Sequence, residues 1–127
     1  MKSNYVEELY LFAERNQVNE IAVELEKRWS ALCQNVSNLH LTINNHADDV
    51  FGVEKNWRNN FNQDLRPENY VLALVTMKFT VDSKDAINTD TLGDSMYETI
   101  RKVIRNYPQV EYFSMFASEE DSNLPLK

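Results

Sequence analysis

Residues 70–81, which read YVLALVTMKFTV, give the clearest structural signal in this chain of 127 residues. Every second position from Val71 to Val81 is apolar, so one face of an extended segment here is apolar throughout. The opposite face begins with the apolar residues Tyr70 and Leu72 and ends with polar ones. This pattern predicts a central β-strand that is covered along one whole face and only at the beginning of the other.

A helix and a further strand are predicted after this central strand. Apolar residues recur at helical spacing over about 90–107, with Asp90 or Thr91 as the N-cap. Residues 110–117 carry apolar side chains on both faces and predict a last strand. Because crossover connections are right-handed, the strands at 70–81 and 110–117 are expected to be parallel if they share a sheet.

The first third of the chain is predicted to be helical. Apolar positions from Val18 to Val36 follow the 3.6-residue period, and Asn4 followed by Glu7 fits a helix N-cap pattern. We expect either one helix with a shifted apolar stripe or two helices that meet near Asn16. One long N-terminal helix is the preferred interpretation.

The middle of the chain contains one clear strand and one ambiguous stretch. Residues 39–44 alternate between apolar and polar types, as in a half-buried strand. Residues 50–65 suit a hairpin partner for that strand at their beginning, but they also carry aromatic residues at helical spacing. Gly52 and the many asparagines favour short or irregular structure, so strand, helix and loop all stay open here.

Together these signals predict an α+β fold. We expect a single domain over 1–117, built as a two-layer sandwich with a three- or four-stranded mixed sheet. The long N-terminal helix and the helix at about 90–107 are expected mainly on one face of that sheet. Residues 118–127 are expected to form an acidic flexible tail.

Composition excludes several classes of function. Only two glycines occur, Gly52 and Gly93, and their separation is too large for a phosphate-binding loop. The single cysteine, Cys33, excludes a disulfide framework and a multi-cysteine zinc site, and it is expected to be a small buried apolar residue. With no signal peptide and no long apolar span, a cytoplasmic protein is expected.

Net charge and asparagine content are the two compositional biases. The formal charge of −7 disfavours direct nucleic-acid binding and membrane binding and favours a basic protein partner. Asparagine tolerates left-handed backbone, so the 15 asparagines are suited to replace glycine at turns. Codon usage in an AT-rich genome would explain the same count.

The best candidate interface lies in the ambiguous middle stretch. Large aromatic residues alternate there with polar and charged ones, which is typical of a recognition surface. An equally weighted alternative is that the two aromatic residues, Trp57 and Phe61, turn inward and close one end of the core. The predicted protein-binding residues are Asp48, Asp49, Glu54, Trp57, Phe61 and Asp64.

Two histidines provide the alternative of an enzyme or ligand-binding site. His40 and His46 lie near Asp48 and Asp49 in sequence, and such groups can serve as metal ligands or as an acid and base. Turn chemistry accounts better for the two aspartates, so no catalytic residue, metal site or cofactor is predicted.

The last strand gives a second indication of an interface. If helices cover one face of the sheet, either Phe113 and Met115 or Tyr112 and Phe116 need another cover. That cover is the N-terminal helix, a second copy of the chain or a partner.

The sequence therefore favours a small acidic protein-binding module over an enzyme. In its most specific form, the hypothesis is an inhibitor of the immunity, antitoxin or phage anti-defence type that blocks a basic, nuclease-like partner. The alternatives are a small enzyme or ligand-binding domain that uses His40 or His46 with an acidic partner, and a structural homo-oligomer such as a homodimer.

Overall fold

Strands and helices alternate along the chain, and the α+β class predicted from the sequence is confirmed. The computed structural model describes residues 2–32, 36–82 and 89–118. Its elements are β1 (Lys2–Glu14), α1 (Arg15–Leu32), β2 (Val36–Asn44), α2 (Val53–Asn60), β3 (Tyr70–Asp82), α3 (Thr89–Ile104) and β4 (Glu111–Ser118).

The four strands form one sheet in the order β2-β3-β1-β4, and all neighbouring pairs are antiparallel. The prediction of a mixed sheet is therefore wrong, because every neighbouring pair of strands is antiparallel. Strands β3 and β4 do run in the same direction, because both are antiparallel to β1, but β1 lies between them. With α2 set aside, this is the split β-α-β topology of the ferredoxin-like type.

The N-terminal segment is the largest correction to the sequence-based prediction. Residues 2–14 form a strand, and the helix begins only at Arg15, so the N-cap pattern at Asn4 and Glu7 does not start a helix. β1 pairs with β3 along its whole length and with β4 from Tyr5 to Phe12. Glu7 is a polar residue on the buried face of β1, and Phe12 is apolar on the other face, so the apolar positions satisfied a helical period as well.

Helices α1 and α3 pack on the same face of the sheet, as predicted, and enclose the main core with it. From the strands, this core receives the odd-numbered residues of β1 and β3, including Leu9, Leu11 and Met77. The predicted apolar stripe is buried from Val18 to Trp29, and α3 contributes a second stripe. The helical core residues are Val18, Ile21, Ala22, Leu25, Trp29, Met96, Ile100, Val103 and Ile104.

Helix α2 covers one end of the opposite face of the sheet. It replaces the predicted hairpin between residues 39–44 and 50–55, since β2 pairs with β3 instead. A small second core forms there around Trp57, Phe12 and Leu72. This is the end at which the sequence of β3 predicted a cover on its second face.

Asparagine does take the place of glycine at two left-handed positions. Asn38 has φ 55° beside a register shift in β2, and Asn62 has φ 52° just after α2. Gly52 supplies a third such position immediately before α2, with φ 70°. These residues allow the sharp changes of direction that the chain needs here.

Two predictions fall on residues outside the described ranges. They are the burial of Cys33 and the acidic tail, of which only Ser118, the last residue of β4, is described. Among the described helices, none combines the length and apolar character that crossing a bilayer requires.

Candidate functional site

Strand β4 lies at one edge of the sheet and presents apolar side chains on both faces. Tyr112 and Phe116 pack against the main core. Phe113 and Met115 point to the opposite face, where α2 covers only one end of the sheet. Phe113 and Met115 are thus the pair that the two main helices leave uncovered.

An exposed cluster forms where β4 approaches the loop before α2. We call it the aromatic patch, and it consists of Tyr10, Val50, Phe51, Phe113 and Met115. The rings of Phe51 and Phe113 are stacked at 4.5 Å, and Tyr10 meets Phe51 edge-on at 5.2 Å. Phe51 is 43% exposed and Phe113 39%, so a stacked aromatic pair stands in contact with solvent.

The register of the sheet builds this patch and also its acidic margin. Tyr10 lies directly opposite Phe113, and Glu8 lies directly opposite Met115. Burial raises the pKa of the Tyr10 phenol, and the negative charges of Glu8 and Asp48 raise it further. Both carboxylates therefore lie near the patch and contribute negative charge at its margin.

Three of the six predicted interface residues stabilise the loop and helix instead. Asp49 caps α2, because its Oδ1 accepts hydrogen bonds from the backbone amides of Val53 at 2.6 Å and Glu54 at 3.3 Å. Glu54 is 7% exposed and accepts hydrogen bonds from Arg58 at 2.5 Å and from Arg66. Burial opposes ionisation of Glu54, but the two guanidinium groups outweigh it and lower the pKa of this carboxyl.

Trp57 is the third of these residues, and it points inward as the alternative interpretation allowed. It is 3% exposed, and its Nε1 donates a hydrogen bond to the carbonyl oxygen of Gln109 at 2.9 Å. Phe61 is half-buried against it, with ring centroids 5.4 Å apart. Of the predicted interface residues, Asp48 and Asp64 are the exposed acidic side chains without a structural hydrogen bond of their own.

The histidines are not brought together with the acidic residues named beside them. His40 and His46 are both exposed, and neither imidazole is hydrogen-bonded to Asp48 or Asp49. Within residues 2–32, 36–82 and 89–118, no group of three histidines, cysteines and carboxylates is arranged to hold a metal ion.

The buried carboxyl group of Glu7 in β1 was not predicted from the sequence. Glu7 is 2% exposed within the main core, and its Oε2 has no hydrogen-bond partner. Burial raises the pKa of Glu7 to about 8, with a smaller opposing effect from the backbone amide of Glu8. The signal was available, since Glu7 alternates with Tyr5 and Leu9 once the segment is taken as a strand.

Glu7 lies at the bottom of a cleft of about 450 Å³ between α3 and β4. Its other lining residues are Asp90, Gly93, Asp94, Tyr97, Ser114 and Phe116.

No match to this chain is found among the models of known protein families or among curated proteins. Function is therefore inferred from the geometry of these two sites.

Proposed function

We propose that this protein is a protein-binding module that recognises a basic partner through the aromatic patch. The observation that carries the proposal is the exposed stacked pair Phe51 and Phe113 with Tyr10 beside it. Aromatic residues and methionine are enriched at protein interfaces, and a few aromatic anchors supply most of the binding free energy.

The aromatic patch is preorganised for binding. Its two phenylalanine rings already hold each other in one orientation, so binding costs little additional side-chain entropy. Val50 is 65% exposed next to Phe51, and Met115 is 37% exposed next to Phe113 in the same face of β4. A partner that covers these residues removes contiguous apolar surface from water.

The charge supports a basic partner. Glu8 and Asp48 contribute negative charge beside Tyr10 in the patch, and the chain as a whole carries −7. Complementary charge speeds the encounter of two proteins and suppresses binding of acidic competitors. In its specific form, the proposal is that this module covers the basic active cleft of a nuclease-like toxin or defence protein and thereby inhibits it.

The first experiment uses the protein and two variants as baits for lysate of the source cell. Phe113→Thr removes one ring of the stacked pair and keeps a residue suited to a strand. Leu65→Thr is the matched control, because Leu65 is 77% exposed and is not part of the patch. We expect a basic protein that is captured by the wild type and by L65T but is depleted with F113T, and whose capture weakens at high salt.

The second experiment measures binding of that protein after purification. We expect F113T to weaken the affinity by about tenfold or more and L65T to leave it unchanged. Equal affinities for wild type and F113T would overturn the patch as the interface. If the partner is a nuclease, its activity is titrated with each variant, and full activity at saturating wild-type protein would overturn inhibition while leaving binding supported.

A further inference from the structure

Three residues with carboxyl groups, Glu7, Asp90 and Asp94, line the same cleft. Asp90 lies in the first turn of α3, where a carboxylate is stabilised by the helix dipole. Asp94 lies four residues further along, and like charges at this spacing destabilise a helix slightly. Glu7 has an unpartnered oxygen in the core below them, which costs free energy unless a partner arrives.

We infer that this cleft is a binding site for a primary alkylammonium group, the group that ends a lysine side chain, with Glu7 as its counter-ion. An ammonium group carries three N–H donors, and Glu7, which lines the cleft, has a buried Oε2 acceptor without a hydrogen-bond partner. Asp90 and Asp94 supply further negative charge at the mouth, and none of the lining residues that the structure describes is basic.

The lining of the cleft suits a ligand with an apolar stem. At Gly93, α3 and β4 are in direct contact, since an added Cβ would lie 3.0 Å from the ring of Phe116. The side chains of Phe116 and Tyr97 line the cleft and offer apolar contacts to the methylene groups of an alkyl chain. A metal ion fits less well, because the described residues offer no set of three ligands for one.

Binding at this site releases a proton. In the free protein, burial keeps the Glu7 carboxyl largely protonated at neutral pH. When the ammonium group enters, the carboxyl loses its proton to solvent and forms an ion pair with the ligand. Among the described residues, the titratable groups near Glu7 are Asp90, Asp94 and Tyr97 from α3 and the adjacent Glu8, whose charge also raises the pKa of Glu7. The neighbours from β4 and β3, namely Ser114, Phe116 and Met77, are uncharged. The affinity for the ammonium group is therefore expected to rise with pH up to the pKa of Glu7, above which the carboxyl group is already ionised in the free protein.

This inference does not rest on the proposed function, since the aromatic patch lies on the opposite face of the sheet. The test is a titration of the isotope-labelled full chain followed by NMR. The probe is Nα-acetyl-lysine methylamide, and the matched control is the same compound acetylated at Nε, which has no charge. We expect the charged probe alone to shift the amide signals of β1, β4 and the beginning of α3.

Two further measurements identify Glu7 as the counter-ion. Glu7→Gln is expected to weaken binding by about tenfold or more, and Glu7→Leu, which suits the apolar core, is expected to do the same. Between about pH 6 and about pH 7, the affinity of the wild type is expected to rise severalfold, up to tenfold, and the affinity of E7Q is expected to stay constant.

Titrations with further ligands distinguish a lysine of a partner protein from a free diamine and from a metal ion. Tighter binding of the lysine derivative supports a lysine of a partner protein, whereas tighter binding of putrescine supports the same site with a free diamine. Calcium or magnesium that shifts the same signals at lower concentration would overturn the ammonium assignment. Equal shifts from the charged and acetylated probes, or unchanged binding in both Glu7 variants, would overturn the site altogether.

Discussion

Glu7 is a carboxyl group enclosed on the central strand of the sheet, between Tyr5 and Leu9. Transfer of an ionised carboxylate into such surroundings is costly, and the group responds by keeping its proton. The pKa of about 8 expresses this cost, since the unperturbed value is 4.5. A residue that weakens the fold in this way and opens into a cleft is more typical of a binding site than of a purely structural position.

The raised pKa of Glu7 predicts how the free energy of unfolding depends on pH. The folded state holds the Glu7 proton more tightly than the unfolded state does. The contribution of this proton to the free energy of unfolding is therefore complete below pH 4.5 and is lost as pH rises through about 8. At about 1.4 kcal/mol for each pKa unit, the wild type should lose roughly 5 kcal/mol relative to E7Q across this window. Urea denaturation of both proteins at pH values below, within and above the window measures the difference. Parallel pH profiles for the two proteins would contradict the assignment.

At the scale of elements, the short helix α2 depends on a residue outside it. The first amides of a helix have no partner within it, and Asp49 satisfies those of Val53, Glu54 and Lys55 with its two carboxylate oxygens. Gly52, in its left-handed conformation, turns the chain so that Asp49 can reach them. The sequence offered two interpretations of Asp49, an interface residue and turn or helix-cap chemistry, and its hydrogen bonds make it a helix cap.

Removal of this cap should destabilise α2 and the second core beneath it. Asp49→Ala is expected to lower the free energy of unfolding by about 1–2 kcal/mol, and Asp49→Asn by less because one acceptor oxygen remains. Asp64→Ala is the control, because the Asp64 side chain is exposed and accepts none of the helix amides. The measurement is urea denaturation followed by tryptophan fluorescence, which includes the buried Trp57. Equal stabilities for D49A and D64A would contradict the capping role.

The elements differ in how far their own sequences determine them. Strand β3 and helix α3 show one clear period each, and both were predicted close to their observed bounds. β1 was mistaken for helix because Glu7 interrupts its buried face and Tyr10 and Phe12 are aromatic on the other face, so strict apolar alternation was lost. The sheet order depends on pairings between distant segments, which local periodicity does not encode. For the site, the pattern of β4 predicted that one of its two apolar faces is uncovered. The fold shows that this face carries Phe113 and Met115, and it brings Phe51 onto Phe113.

At the scale of the whole molecule, the two faces of the sheet have different roles. One face carries α1 and α3 and holds the main core, with the Glu7 cleft opening beside β4. The other face is closed by α2 at one end only, and the aromatic patch lies at the margin of that cover. Edge strand β4 contributes to both sites, since Phe116 lines the cleft and Phe113 belongs to the patch.

The same arrangement predicts that the isolated chain does not use the patch to pair with itself. Two copies joined through their patches would bring Glu8 and Asp48 of each copy close to those of the other, and each molecule carries −7. Light scattering coupled to size exclusion should therefore give the monomer mass of 14.9 kDa across a concentration series at low salt. A dimer that F113T abolishes and L65T preserves would instead make the patch a self-interface, and the structural homo-oligomer would then replace the basic partner.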